Sequence, residues 1–379
     1  MYRSFEEYNL TMSNYTSNDI INAIAAAAKA LEARKDEINR LNVFPVPDGD
    51  TGTNMSLTLA MVVDNLAKLP IGASSEDRRR AITTGALMGA RGNSGVITSQ
   101  IMRGLCEGIA DHEEFDIVAV DDAFSRAVEV AFNAVRKPVE GTILTVLRDT
   151  ATAAHKARKK KMELDEGLQF IVGESYASVQ RTPELLPVLR ENGVVDAGGF
   201  GIAIFFDSFV ASLTGRAEAM VDELAFARTA APKVEIEQIN DWEGSKYKYC
   251  NEFLVNSETL DPEEALDFLQ TMGDCELCVG STPKFKVHVH SNTPDKVLAY
   301  FLERGEIFEV FIHNMKLQSE ERTEKLEAEQ EAAHKAIGFV AVAAGSGNAA
   351  ILESLGVDYV VSGGQTMNPS TKELLDAVN

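Results

Sequence analysis

The sequence predicts a multidomain protein. It has an all-α first domain over residues 1–216, a small α/β domain over 229–317 and the beginning of a further α/β domain over 336–379. Its 379 residues are more than one hydrophobic core usually organises. Almost no segment before residue 216 alternates in the manner of a strand, whereas several later segments do. From residue 336 onward the pattern indicates a strand, a glycine turn, a helix and a second strand.

Helical periodicity runs through the first domain. The segment SNDIINAIAAAAKALEARKDEINR predicts a helix that Ser17 or Asn18 could cap. After a polar turn, MSLTLAMVVDNLAKL, SEDRRRAITTGALMGA and SGVITSQIMRGLCEGIA predict three more helices, and VDDAFSRAVEVAFNAVRK predicts another that Pro138 would end. The pattern continues to residue 216, so we expect about eight helices.

The middle domain combines alternating and helical segments. YKYCNEFLVNS, CELCVGS, KFKVHVHSN and EIFEVFIHNM predict strands. DPEEALDFLQTMG and DKVLAYFLERG predict helices, the first with Asp261 as its N-cap. The charged segment 316–335 predicts a helical linker to the third domain, in which too few residues remain to close a doubly wound sheet.

Composition excludes some classes of function. The net charge of −22 argues against nonspecific binding to nucleic acid, because phosphate contacts need Lys and Arg. We expect no membrane span, since no apolar run reaches 18 residues, and the polar N-terminus does not resemble a secretory signal. Four cysteines outside any framework pattern indicate a reducing compartment, and we expect the cytoplasm.

The turn PDGDTGTN places Asp48 and Asp50 two positions apart, directly before a helix. Two carboxylates at this spacing suit a hard cation such as Mg²⁺, which takes phosphate oxygens as further ligands. Backbone amides at a helix N-terminus suit phosphates. A plain Asp-Gly turn is the alternative interpretation. The residues that follow the pair and would face a phosphate are Thr51, Gly52, Thr53 and Asn54.

Two further glycine-rich segments precede predicted helices. One is GALMGARGNSGVITSQ and the other is VVDAGGFG. Ser94 could simply cap its helix, but three such segments in one all-α domain suggest helix N-termini that face one anion. Neither a Walker A motif nor a kinase-type GxGxxG occurs. The candidate residues are Gly92, Asn93, Ser94, Gly95, Asp196, Gly198 and Gly199.

In the middle domain KFKVHVHSN places His288 and His290 on one face of a predicted strand, a spacing that suits two ligands of one metal. Cys250 could lie on a neighbouring strand. The alternative is a hydrogen-bonded histidine pair at a solvent-facing strand edge. The CELC segment resembles a metal-binding CxxC, but a strand would point Cys275 and Cys278 to opposite faces.

Four motifs in the same order resemble those of a known family: LNVFPVPDGDTGTNM, GARGNSGVI, KPVEGTILTV and GVVDAGGFGI. They resemble the ATP-binding DAK2 or L-type subunit of bacterial dihydroxyacetone kinase. They resemble more closely the catalytic subunit of bacterial fatty acid kinase, and this resemblance continues through the middle domain into the start of the third. It implies an antiparallel eight-helix barrel that binds ATP at one mouth through two Mg²⁺ ions.

The resemblance also implies roles for residues. Asp48 and Asp50 would hold Mg²⁺, and Cys250 with the two histidines would hold Zn²⁺ in a structural or regulatory role. The family's third metal aspartate falls at Val43 here, and Asn42 is the nearest polar substitute. Phosphate contacts are implied for Thr53, Asn54, Asn93, Ser94 and Gly95, and contacts along the nucleotide for Gly141, Thr142, Gly198 and Gly199.

The implied activity is phosphoryl transfer from ATP to the carboxylate of a fatty acid that a separate fatty-acid-binding protein presents, which gives an acyl phosphate for phospholipid metabolism. A homodimer is implied as well. Two alternatives remain: a dihydroxyacetone-kinase-like enzyme that acts on a small ketose or polyol, and a regulatory nucleotide-binding module without turnover. Val43 and the middle domain argue against the first alternative, and the intact aspartate pair argues against the second.

Overall fold

The computed structural model describes residues 15–216, 246–321, 339–343, 346–357 and 359–362. The expectations for the first 14 residues, for 217–245 and for the chain beyond 362 lie outside the described residues. Of the predicted linker helix, 316–335, residues 316–321 are described and are helical. The chain divides into two compact units, Met1–Arg322 and Thr323–Asn379.

Within residues 15–216 the structure is helical, which confirms the all-α prediction for this part. Eight of the helices have 15 or more residues, and each of these packs against the next in a closed series, α1, α3, α4, α5, α6, α7, α8, α10 and again α1. The helices are α1 (Ser17–Ala33), α2 (Lys35–Leu41), α3 (Thr51–Ala67), α4 (Ser75–Gly89), α5 (Gly92–Gly108), α6 (Ile117–Ala134), α7 (Ile143–Lys159), α8 (Leu164–Leu185), α9 (Pro187–Glu191) and α10 (Ala197–Thr214).

The first predicted helix differs in two respects. It divides at Arg34 into α1 and α2. Its cap is Thr16 rather than Ser17 or Asn18, because Thr16 and Asp19 form a capping box in which each side chain bonds the other's backbone N–H.

Apolar helix faces form the core of this domain, and α10 lies almost wholly within it. Among the described helices, Ala197–Thr214 alone is long and apolar enough to cross a membrane, and 78% of it is buried inside the protein. Small residues allow α5 and α6 to approach closely, since Cβ atoms added at Gly104 and Gly108 would lie 2.4 Å and 2.5 Å from the Cα atoms of Ala127 and Ala123.

The middle domain is a four-stranded antiparallel sheet with two helices. From one edge to the other, its strands are Gly273–Ser281, Lys284–Ser291, Tyr249–Asn256 and Glu306–Asn314. Asp261 caps the first of these helices through the backbone N–H groups of Glu263 and Glu264, as predicted. Phe253, Phe285 and other apolar residues fill the core between sheet and helices. The elements are β1 (Tyr249–Asn256), α11 (Pro262–Met272), β2 (Gly273–Ser281), β3 (Lys284–Ser291), α12 (Pro294–Leu302) and β4 (Glu306–Asn314).

The sheet packs directly on the helical domain. Ala90 and Val96 form a buried apolar cluster with Leu277 and Val279 of β2. The second unit, described by itself, has parallel strands β5 (Val340–Ala343) and β6 (Tyr359–Ser362) with α13 (Ser346–Ser354) between them in sequence, the strand, helix and strand that the pattern predicts.

The close contact of α5 with α6 makes a matched pair of glycine substitutions informative. We expect Gly104→Ala to lower the free energy of unfolding by about 1–3 kcal/mol, because the new methyl group meets backbone that can move only if the helices separate. Gly173→Ala in α8 should instead raise it by about 0.5–1 kcal/mol, since nothing lies within 4 Å of the added atom. Thermal unfolding followed by circular dichroism measures both, and shifts of the same sign would contradict this account.

Candidate nucleotide and metal site

One cavity of about 640 Å³ lies where helix amino ends of the first domain face the sheet of the middle domain. A volume of this size suits a small-molecule ligand. It brings together residues that the sequence predicts for the magnesium, phosphate and zinc sites. Those that line it are Asn42, Asp48, Asp50, Thr51, Thr53, Asn54, Gly92, Asn93, Ser94, Thr142, Asp196, Gly198, Cys250, His288 and His290.

The aspartate turn is held by amide side chains from the preceding helix end. Asn42 Oδ1 accepts hydrogen bonds from the backbone N–H and the hydroxyl of Thr51, and Asn42 Nδ2 donates to the carbonyl of Val46. Asp48 and Asp50 are half-buried, and Asp50 is the N-cap residue of α3 without a side-chain capping bond. The turn therefore presents both carboxylates at the cavity while Asn42 keeps its shape.

The first amides of α3 are already used. Asn39 Oδ1 accepts from the backbone N–H of Gly52 at 2.8 Å and of Thr53 at 3.2 Å. N–H groups at the start of a helix need an acceptor from outside it, and here Asn39 provides that acceptor in the place where the sequence predicts a phosphate. The side chains of Thr53 and Asn54 still line the cavity.

The amino end of α5 meets the middle domain. The N–H of Gly92 donates to Glu252 Oε2 at 2.6 Å, and the left-handed φ of 57° at Gly92 sets this direction. Glu252 thus takes the place that the sequence assigns to a phosphate at this amide. Asn93 and Ser94 line the cavity. In the same region Arg91 pairs with Glu309 and lies over the ring of Phe311 at 4.5 Å.

The side chain of Asp196 caps the amino ends of two helices, α7 and α10. Its carboxylate accepts from the N–H of Gly199, at the start of α10, and from the N–H of Ile143, at the start of α7. Burial raises the pKa of Asp196 to about 7, although the two hydrogen bonds act in the opposite direction. The residue therefore serves both as a cap and as a cavity wall.

Four predicted nucleotide-binding glycines are absent from the cavity lining, and close packing explains their presence. An added Cβ would lie 2.2 Å from the Lys35 carbonyl oxygen at Gly52, 2.8 Å from Thr58 Oγ1 at Gly95, 2.8 Å from Leu186 Cβ at Gly141 and 2.7 Å from Val146 Cγ2 at Gly199. These positions bring helices and loops into contact instead of lining the site.

Cys250, His288 and His290 form a cluster whose potential ligand atoms all lie within 4.8 Å of one another. The antiparallel register places Cys250 opposite His290 and Glu252 opposite His288, so alternate residues of β1 and β3 share one face. The two Nε2 atoms are 3.3 Å apart, and Cys250 Sγ is 3.8 Å from His288 Nδ1. Both histidines are buried, so the alternative interpretation, a pair at a solvent-facing strand edge, does not apply.

Each histidine of the cluster also faces a carboxylate. His288 Nδ1 lies 3.7 Å from Glu252 Oε2, and His290 Nδ1 lies 3.5 Å from Asp274 Oδ1. Metal-binding histidines commonly direct their second nitrogen to such a group. Burial raises the pKa of the Cys250 thiol well above its usual range, and the charges of Glu252, Asp48 and Asp50 raise it further. The negative charges of Asp48 and Asp50 therefore act on the cysteine–histidine cluster.

The sequence analysis did not assign four polar residues to this site. They are Glu252, Asp274, Cys275 and Lys286. Lys286 Nζ donates to Glu252 Oε1 at 2.7 Å, and both side chains are almost completely buried. The sequence does indicate Glu252 and Lys286. Glu252 lies two residues after Cys250 on β1 and Lys286 two residues before His288 on β3, so each shares a sheet face with a predicted metal ligand. The other two residues, Asp274 and Cys275, line the cavity from an irregular part of β2.

The CELC pair separates as expected. Cys275 has a positive φ of 54° at the register shift of β2 and lines the cavity, where it contacts Asn93. Cys278 packs in the core between sheet and helices. A metal site made of these two thiols is therefore excluded by the fold.

The raised pKa of Asp196 predicts a pH dependence of stability. Because the folded-state value of about 7 exceeds the ordinary 3.8, the folded protein keeps a proton that the unfolded chain loses. The contribution of Asp196 to the free energy of unfolding therefore falls as pH rises from about 4 to about 7. The difference between wild type and Asp196→Asn should shrink or reverse over this window, as urea unfolding would measure. A difference between the two proteins that does not change with pH would contradict it.

Three family models match consecutive parts of the chain. Residues 45–211 match the DAK2 domain, residues 246–322 the FakA-like middle domain of fatty acid kinase, and residues 338–379 the FakA-like C-terminal domain of the same enzyme. Uncharacterised proteins of Staphylococcus haemolyticus (strain JCSC1435) and Staphylococcus aureus (strain bovine RF122 / ET3-1) are 36% and 37% identical over 369 and 366 residues. Each alignment covers 94% of this chain and 66% of the relative, so the chain spans just under two thirds of their length.

Among solved structures, dihydroxyacetone kinase from C. freundii in complex with AMP-PNP and Mg²⁺ matches with a TM-score of 0.40 and 17% identity. That match covers 56% of this chain and 37% of the kinase. The three domain matches follow one another along the chain in the expected order and identify its family. It belongs to the FakA-like fatty acid kinase family, which joins a DAK2 domain to the characteristic middle and C-terminal domains.

Proposed function

We propose that this chain is the ATP-binding catalytic subunit of a fatty acid kinase. It would transfer the γ-phosphoryl group of ATP to the carboxylate of a fatty acid that a separate acyl-binding protein presents. The observation that carries the proposal is the single cavity in which Asp48 and Asp50 face the amino ends of four helices, in a chain of this family. A metal-bound nucleotide needs both features.

Asp48 and Asp50 would hold two Mg²⁺ ions together with phosphate oxygens and water, which are the ligands that this ion prefers. The oxygen of Asn42 already accepts two bonds from Thr51, so this residue would support the turn and would not replace the missing third aspartate. Phosphate contacts would come from Asn93 and Ser94 at the start of α5 and from the hydroxyl of Thr53. Thr142 and Gly198 would border the rest of the nucleotide.

The acceptor in this reaction is a carboxylate, which is already ionised at neutral pH and needs no strong general base. One carboxylate oxygen would form a bond to the γ-phosphorus while the bond from that phosphorus to the bridging oxygen of ADP breaks. The products are an acyl phosphate and ADP. Phosphoryl transfer of this kind depends on positioning and on neutralisation of the phosphate charge. The chain would position the reactants, and the Mg²⁺ ions that its aspartate turn would hold would supply the positive charge.

The Cys250–His288–His290 cluster fits zinc, and we include Zn²⁺ in the proposal. Nitrogens bound to a tetrahedral zinc at about 2.0–2.1 Å lie about 3.3–3.4 Å apart, and the two Nε2 atoms are 3.3 Å apart. A thiolate and two imidazoles are common zinc ligands, and the carboxylates of Glu252 and Asp274 would orient the rings.

Three further features belong to the proposal on the basis of family membership. The closed series of long helices would form the antiparallel eight-helix barrel of the DAK2 domain, with the nucleotide at one mouth. The chain would form a homodimer. It would act in the cytoplasm, where fatty acids are activated for phospholipid synthesis.

The function is tested by mixing the chain with ATP, Mg²⁺ and oleate, with and without a bacterial fatty-acid-binding protein. We expect acyl phosphate, trapped as the hydroxamate, only when the binding protein is present. ATP consumption with dihydroxyacetone in place of the fatty acid would instead support the small-ketose alternative. Nucleotide binding without turnover on either acceptor would support the regulatory module.

We expect Asp48→Ala and Asp50→Ala each to weaken the binding of Mg²⁺–AMP-PNP at least tenfold, because a cation left with one carboxylate is poorly held. Isothermal titration calorimetry measures the dissociation constants. Asp64→Ala, at an exposed position in α3, the helix that follows the turn, is the matched control and should leave them unchanged. Wild-type affinity in both turn variants would rule out the aspartate pair as the metal site.

A further inference from the structure

The carboxylate of Glu252 lies between the cysteine–histidine cluster and the amino end of α5 and contacts both. We propose that Glu252 is a positioning residue that couples metal occupancy of the Cys250–His288–His290 cluster to nucleotide binding at the start of α5. The inference rests on the proposed function, because it takes the α5 end as part of the nucleotide site.

Glu252 reaches the two domains with its two oxygens. Oε2 accepts from the backbone N–H of Gly92 at 2.6 Å and lies 3.7 Å from His288 Nδ1. Oε1 accepts from Lys286 Nζ at 2.7 Å and lies 3.8 Å from a guanidinium nitrogen of Arg91. The Glu252 side chain is 4% exposed and that of Lys286 is 0% exposed, so neither group can exchange these partners for water.

On the cluster side, ring orientation depends on which nitrogens bind the ion. The facing Nε2 atoms of His288 and His290 leave Nδ1 of His288 directed at Glu252. A metal-bound imidazole donates its remaining N–H to a neighbouring carboxylate, which fixes both groups. An ion on the cluster would therefore draw the carboxylate of Glu252 into one position.

On the nucleotide side, the turn that Glu252 holds has little freedom. A Cβ added at Gly92 would lie 2.4 Å from Asn54 Nδ2, so this residue is wedged between α3 and the sheet. Its neighbours are attached to the sheet as well, since Arg91 lies over Phe311 and Asn93 contacts Cys275. A shift of the Glu252 carboxylate must therefore move the residues that begin α5.

The cysteine–histidine cluster and the amino end of α5 share the carboxylate of Glu252, so metal binding and nucleotide binding must be linked. If a metal ion fixes Glu252 in the position that suits the nucleotide, the ion tightens nucleotide binding by preorganisation. Linkage is reciprocal, so the nucleotide must tighten metal binding by the same factor. We expect a factor of about 5 or more, which is the lower part of the usual range for coupled sites.

The experiment uses the full chain, depleted of metal with a chelator or loaded with Zn²⁺. Circular dichroism first checks that both forms are folded. Calorimetry then gives the dissociation constant of Mg²⁺–AMP-PNP for each form, and competition with a chromophoric chelator gives the zinc affinity with and without nucleotide. In the wild type, both comparisons should show the same gain of about fivefold or more. In Glu252→Gln both ligands should still bind, but neither should change the affinity for the other, so the factor should fall to about one.

Glu309→Gln is the matched control, because Glu309 also faces Arg91, at 3.4 Å, yet forms no ion pair with the cluster histidines within the described part of the chain. It should keep the wild-type coupling. Should Glu252→Gln fail to fold with Lys286 left unpaired, the double variant Glu252→Gln/Lys286→Met removes both buried charges and serves in its place.

Three results would each overturn the inference while leaving the nucleotide site intact. They are a wild-type affinity for Mg²⁺–AMP-PNP that zinc leaves unchanged, Glu252 variants that keep the wild-type coupling, and a wild type that binds no zinc. Failure of the wild-type chain to bind Mg²⁺–AMP-PNP in either form would overturn the proposed function together with it.

Discussion

The amino ends of four helices meet at one cavity, and at each end a polar side chain accepts hydrogen bonds from the first backbone N–H groups. Asn39 and Asn42 hold α3, Glu252 holds α5, and Asp196 holds both α7 and α10. The first N–H groups of a helix have no acceptor within it, so a half-buried meeting of four such ends requires acceptors from outside. The shape of the cavity follows from this requirement.

Most helices were predictable because their signals are local. Apolar periodicity and the change to alternation after residue 245 mark the two domains, and the capping pattern at Asp261 is a short motif. The division of the first helix at Arg34 was not predictable, since the residues around it favour helix on both sides. That division is imposed by packing, because α2 must turn to place Asn39 and Asn42 against the start of α3.

The site was predictable only in part. Asp48 with Asp50 and His288 with His290 are close in sequence, so their spacing carries the signal. The bond from Gly92 to Glu252 joins residues 160 positions apart, and no local pattern specifies it. Four of the predicted glycines do not line the cavity. Gly52, Gly95, Gly141 and Gly199 resemble anion-binding positions in sequence, but what they provide is close packing, which in sequence is indistinguishable from a phosphate turn.

The charges that line the cavity determine what form of ligand can enter it. Asp48, Asp50, Asp274 and Glu276 present carboxyl groups there, and Glu252 is already neutralised by Lys286. Arg91, Arg136 and Lys137 also line the cavity, but Arg91 pairs with Glu309 and Arg136 with Asp267, so much of the positive charge is compensated. A bare polyphosphate would meet net repulsion at close range, where little water screens it. A nucleotide that enters with its cations brings the charge that the aspartate turn lacks. The ligand that these electrostatics favour is therefore the metal complex, and the strongly acidic chain is no obstacle to its binding.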